Sequence, residues 1–254
     1  MAIQPLTQFR IEPIAPLHLG EMNIMFTNSS LLMVLGVVLS AGFLIFAGRR
    51  AALVPGRLQG FAEMMYEALT GIVRENGGDE ALKLFPLIFT IFLFVFMGNF
   101  LGMMPFSFTY TSHIIVTMAL ALFVILTVVI VGLIKHGFGF FSLFAPAGVP
   151  LFVMPILIPV EVISFLARPF SLAMRLFLNM MAGHMVLKIF AGFCIMFISM
   201  GGIAMAGAIV PFAIKIAVTA FEFFVSLLQA YIFTLFTCIY LRDAIYLHPH
   251  EEAH

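Results

Sequence analysis

The sequence predicts an all-α membrane protein with about five membrane-crossing helices and one interfacial amphipathic helix, the last two crossings being long, strongly tilted and paired as a hairpin. Three observations predict it. Of the 254 residues, 63% are hydrophobic and 9% charged, against roughly 45–50% apolar in an ordinary soluble domain. The apolar residues gather in long runs, and the mean hydropathy is +1.17. The few polar interruptions inside those runs are confined to the last hundred residues or so and recur at helical spacing. The whole chain, residues 1–254, reads as a single membrane domain.

A crossing helix needs about 20 mostly apolar residues. The first such run is about 30–48 and ends at Arg49 and Arg50. These arginines and Arg57 occupy a short loop, so the excess of positive charge on inner loops places it in the cytoplasm and the N-terminus outside. In a mitochondrion the matrix takes the place of the cytoplasm. Residues 57–74 place Leu58, Phe61, Met65, Leu69 and Ile72 at helical spacing, with Glu63, Glu67 and Arg74 on other faces, which is the pattern of a helix lying in the inner interface. Spans at about 84–104 and 114–134 follow, joined by an uncharged link that fits the outside. From about 151 to 199 the chain stays apolar, interrupted by single polar positions and by Pro155, Pro159 and Pro169. Forty helical residues would already span about 60 Å, twice a bilayer core, so this element must be broken or strongly tilted. A last segment, about 203–241, stops at Arg242 and Asp243 and leaves the C-terminus inside.

Several function classes drop out. Twelve basic and twelve acidic residues give a formal charge of zero and no basic surface for DNA or RNA. The N-terminus lacks the pattern of a removable signal or transit peptide. Cys194 and Cys238 sit in apolar runs without CxxC spacing and are expected as small buried hydrophobes. His113, His136 and His184 are spread one to a segment, which does not suit paired haem ligands, so no cofactor and no metal are expected. His248, His250 and His254 read as a solvated tail. The first half carries no polar counterpart of the second, unlike the repeats of a secondary transporter. No phosphate-binding loop is present, so any ATP chemistry lies on another chain.

Ionisable groups at membrane depth cost about 2.5–3.5 kcal/mol each on insertion scales, so their placement is informative. On the fifth segment, the fourth of the crossings, Glu161, Arg168 and Arg175 recur every seven residues, and Asn179 follows four after Arg175, so one helical face holds all four. On the sixth segment Lys215, Glu222 and Gln229 also recur every seven, with Ser226 between. Two such edges facing each other would line a wet path. His184 comes nine residues after Arg175, about 180° around an ideal helix, and so points away from the arginine. Arginine stays charged in proteins and cannot shuttle protons, but its fixed charge favours an ionised carboxylate beside it. Histidine and a buried glutamate are suited to carrying the proton, which singles out His184 and Glu222.

Plainer roles fit the same residues. Arg175 and Glu222 could form a structural ion pair, Asn179 and Gln229 could join helices as amide glue, and His184 could be a satisfied core histidine. Lys188 and Lys215 read as snorkelling residues. Glu161 and Arg168 could bridge neighbouring turns or meet headgroups.

SLAMRLFLNMMAGH (residues 171–184) followed by LLQAYIFTLFTCIYL resembles the two characteristic helices of subunit a of the F-type ATP synthases. FTNSS, GMMPFSFTYTSH, FAPAGVP and the order of elements extend the likeness over the whole chain. The resemblance implies a stator subunit that gives protons two offset half-channels to a rotating c-ring of proteolipid subunits, beside b-type subunits of a peripheral stalk, in the lipid bilayer and with no small-molecule substrate other than protons. It implies that Arg175 faces the c-ring carboxylate and separates the half-channels, that Asn179 and Gln229 are its polar neighbours, and that Glu161 lies toward the cytoplasmic half-channel. Many bacterial members carry Glu at the position of His184 and His at that of Glu222. The arrangement here, with the TSH that contains His113, resembles the mitochondrial and alphaproteobacterial branch. An exchange of this kind suits two residues that share one proton path. A bacterial inner membrane is the expected location, a mitochondrial inner membrane the alternative. A self-contained proton or ion transporter, or a structural subunit of another respiratory complex, is the competing reading.

Overall fold

The Thr27 hydroxyl accepts the backbone N–H of Ser30 at 3.3 Å and caps the first helix, α1, Asn28–Gly48. In this computed structural model residues 13–19, 22–49, 52, 54–104, 109–144 and 152–246 are described. Arg50, Pro105, residues 145–150 of FAPAGVP and the tail histidines His248, His250 and His254 lie outside them. The helices that follow are α2 (Arg57–Gly77), α3 (Phe85–Gly102), α4 (Ile114–His136), α5 (Met154–Met200) and α6 (Ile209–Ile245). Five of the helical segments, all but α2, are long and apolar enough to cross a membrane. Ahead of α1 lies a feature that the hydropathy pattern does not announce. Strands β1 (Pro13–Leu19) and β2 (Met22–Thr27) form an antiparallel hairpin, with Leu17 opposite Ile24 and His18 opposite Asn23.

Helix α5 is continuous over 47 residues although Pro159 and Pro169 fall inside it. Of the two expectations for this segment, breakage is not what occurs. Each proline removes one helical hydrogen bond without ending the helix, and Pro155 stands in the first turn, where its missing N–H has no partner to lose. At 1.5 Å per residue α5 is about 70 Å long and the 37-residue α6 about 55 Å, so neither fits upright within a core of about 30 Å.

The chain divides into two compact units. The first comprises Met1–Gly42, Leu93–Val116 and Arg175–Ala230; the second comprises Phe43–Phe92, Thr117–Met174 and Tyr231–His254. Val95, Tyr110, Leu176 and Met180 are core residues of the first, and Val73, Ile88, Val128, Phe140 and Phe233 of the second. In the second unit the apolar stripe of α2 is divided between two surroundings. Leu69 and Val73 are buried, whereas Leu58 and Phe61 stay exposed.

Ion pairs link elements of the second unit. Arg168 Nη1 donates to Asp243 Oδ2 at 2.8 Å, and the guanidinium lies 5.6 Å from the centre of the Tyr240 ring. Arg168 thus takes a partner from α6, and neither Glu161 nor a headgroup is required. Lys135 forms a hydrogen-bonded ion pair with Glu80 and sits 5.2 Å from the centre of the Tyr246 ring, and His136 Nε2 is 2.9 Å from the Ile245 carbonyl oxygen. The hydrogen bond from Lys135 holds the Glu80 carboxyl below its usual range. A lowered folded-state pKa contributes stability above the unfolded value and loses it as pH falls through the folded one. Glu80→Gln is therefore expected to lower the melting temperature slightly near neutrality, the pair being exposed, and the gap from the parent should close in acid. Melts of both proteins in detergent across pH 3–7 check this.

Candidate functional site

The first unit contains an unusual amount of buried polarity. On α6 the spacing 222, 226, 229 returns to one face after each turn, and Glu222, Ser226 and Gln229 are 5%, 5% and 2% exposed. Lys215, the earlier member of that stripe, is only half-buried. On α5 Arg175 is exposed and His184 is 6% exposed, so the two differ in surroundings as the half-turn between them requires.

Side-chain contacts join α5 to α6 within this unit. Asn179 Nδ2 donates to Gln229 Oε1 at 3.0 Å, and His184 Nδ1 lies 3.9 Å from Glu222 Oε1. Their partners run in opposite order along the two helices, so the pairing is antiparallel. The amide contact matches the glue expected of such residues at membrane depth. The second contact is too long for a hydrogen bond and close enough for a proton to cross after a small side-chain movement. Neither Glu222 oxygen has a hydrogen bond among the described residues, nor does Gln229 Nε2. A buried carboxyl so placed makes poor structural glue, because an unsatisfied polar group costs about 1–3 kcal/mol. The imidazole is the titratable group beside it.

The glycine at residue 183 leaves the space that the Glu222 carboxyl occupies against α5. A Cβ added at Gly183 would fall 2.5 Å from Glu222 Oε1 and 2.7 Å from its carboxyl carbon. Gly183 therefore sets the approach of the carboxyl to the helix that carries His184. Sequence reasoning passed over it, although a glycine immediately before a buried histidine in an apolar helix was the available signal. It also passed over Asn99 and Thr109. Asn99, fully buried on α3, donates from Nδ2 to the Ser226 carbonyl at 3.3 Å. Thr109, 1% exposed, places Oγ1 2.8 Å from His184 Nε2. Both come from segments without charge or polar periodicity.

Of the six residues singled out from the sequence, the first unit brings together His184 with Glu222 and Asn179 with Gln229, and it also contains Arg175. Glu161 belongs to the second unit and is half-buried on α5.

The family described as ATP synthase A chain matches residues 30–242. A protein named ATP synthase subunit a from Rhodospirillum rubrum is 52% identical over 244 residues, covering 96% of this chain and 99% of its own. Proteins of the same name from Hyphomonas neptunium and Rhizobium rhizogenes are 52% and 51% identical, over 100% and 98% of this chain and 99% of each of theirs.

Proposed function

We propose that this chain, which belongs to the ATP synthase A chain family, is the stator subunit that carries protons to and from the rotating ring of an F-type ATP synthase through two half-channels separated by Arg175. The observation that carries this reading is the pairing of His184 with Glu222, buried together at 3.9 Å, while Arg175 on the same helix is exposed. Two chemistries are thereby kept apart on α5. One is a protonatable pair held away from bulk surroundings. The other is a fixed guanidinium charge.

In the proposed cycle a proton enters from the outside, passes the Glu222 and His184 region, and neutralises a carboxylate on a ring subunit. The neutral carboxyl group turns through lipid. Near the end of a rotation it meets the inner half-channel, toward which Glu161 is assigned, and it ionises beside Arg175. Asn179 and Gln229 are polar neighbours of the arginine and supply hydrogen bonds along the path. The driving term is about 2.3 kcal/mol per charge for each 100 mV of membrane potential. The chain is then a multi-pass protein of the bacterial inner membrane, N-terminus outside and C-terminus cytoplasmic, with the ring and b-type stalk subunits as neighbours.

Purification tests the assignment against a self-contained transporter. The chain should co-purify with a small two-helix proteolipid, a cysteine introduced beside Arg175 should crosslink to that proteolipid, and the chain alone in liposomes should pass no protons above the lipid background. Flux through the chain alone would overturn it.

A further inference from the structure

The chain returning from α3 toward α4 is pinned onto α3 at two glycines four residues apart, Gly98 and Gly102, in the run GNFLG. Small residues at this spacing let a neighbour approach the helix backbone. Here the neighbour is not another helix. A Cβ at Gly98 would fall 2.5 Å from the Tyr110 ring, and one at Gly102 would run into Thr109 Oγ1 and Cγ2. Tyr110, 1% exposed, donates its hydroxyl to the Phe94 carbonyl at 2.8 Å, and a short 3-10 turn, Tyr110–Ser112, follows. Thr109 is thus held by its own packing on Gly102 and by the anchored residue after it. From that seat its Oγ1 reaches His184 Nε2 at 2.8 Å, while the other ring nitrogen, Nδ1, is the one that faces Glu222.

We propose that Thr109 is a positioning residue of His184: its hydroxyl, seated on Gly102, holds Nε2 so that Nδ1 stays turned toward Glu222. An imidazole ring in a pocket without such a contact can rotate about χ2, a torsion with broad preferences, and rotation would withdraw Nδ1 from the carboxyl. A hydroxyl is suited to the task in either state of the ring. It accepts when Nε2 carries a proton and donates when Nε2 does not, so the orientation survives a change of charge on the imidazole. A backbone carbonyl would serve only one of these states.

The inference rests on the reading of His184 and Glu222 as a proton path, and the test separates the two. Thr109→Val keeps the shape that packs on Gly102 and removes the hydroxyl, whereas Thr109→Ser keeps the hydroxyl and removes a methyl group. In the intact complex reconstituted in liposomes, Thr109→Val should slow proton-driven ATP synthesis about tenfold, the loss of one buried hydrogen bond, with subunit abundance unchanged. Thr109→Ser should restore most of that rate. A merely structural role predicts the opposite order, with valine tolerated and serine impaired. A Thr109→Val rate within twofold of the parent, a serine variant as slow as the valine one, or a rate that falls only in step with abundance overturns the proposal. Glu222→Gln is measured in parallel. If it leaves the rate intact, the proton-path reading falls and takes this inference with it; if it stops synthesis while Thr109→Val does not slow it, the role of Thr109 alone is rejected.

Discussion

ATP-driven proton pumping is expected to disappear in Arg175→Ala while the subunit remains in the membrane at close to its normal abundance. The two halves of this expectation have different physical sources. Arg175 is exposed on α5, so its removal creates no cavity in the core of the first unit, and substitutions at such positions usually change stability by about 0.5 kcal/mol or less. Its charge is another matter. In the proposed cycle its fixed guanidinium charge is the element against which a carboxylate on the ring ionises. In that cycle its removal would strip the ionised carboxylate of its counter-charge, and rotation would have no step that selects the charged form. Arg175→Lys separates charge from shape. Lysine keeps the positive charge but replaces the planar fork with a point charge that shifts its pKa readily on burial, so it should recover at most a small part of the activity. Quenching of a pH-sensitive dye by inverted vesicles, with immunoblots of the same vesicles, reads both quantities. Coupled pumping at the normal rate in Arg175→Ala would sink the assignment.

The features legible in the sequence were those that depend on one helix at a time. Long apolar runs announced the five crossings. The seven-residue spacing announced that Glu222 and Gln229 share a face, and the nine-residue separation announced that His184 and Arg175 do not. Each of these follows from the 3.6-residue period alone. What periodicity cannot supply is the partner. Arg168 reads on the sequence as a member of a polar row with Glu161 and Arg175, yet it is bonded to Asp243, 75 residues away. Asn99 and Thr109 gave no signal because Asn99 is a lone amide inside an apolar run and Thr109 lies in an uncharged link without helical periodicity, whereas packing on Gly98 and Gly102 helps to place that link. The terminal hairpin was missed for a related reason. Its two short strands carry too few residues to weigh against a composition that announces helices throughout. Glu161 marks the limit in the other direction, since its assignment to the inner half-channel rests on likeness and on its place in the row.

Glu222→Gln is the second change with a large expected effect, and it bears directly on whether the buried pair carries protons or merely holds helices together. Gln has nearly the shape of Glu, so the close approach to Gly183 is kept and the helices can pack as before. An amide cannot take up and release a proton at accessible pH. If Glu222 is on the path, proton flow should drop by about a hundredfold or more, the lower range of what a positioned proton-transfer group contributes, while subunit abundance stays within about twofold. If the residue is structural, the argument reverses. A carboxyl with no hydrogen bond among the described residues and its imidazole neighbour at 3.9 Å holds little that an amide could not hold as well. Flow and abundance would then fall together or not at all. Glu222→Asp supplies the intermediate case: it keeps an ionisable carboxyl but withdraws it by about one methylene from His184, so a path that depends on their separation should be slowed by less than in Glu222→Gln and by more than any change in abundance. Equal rates for the parent and Glu222→Gln would remove Glu222 from the path.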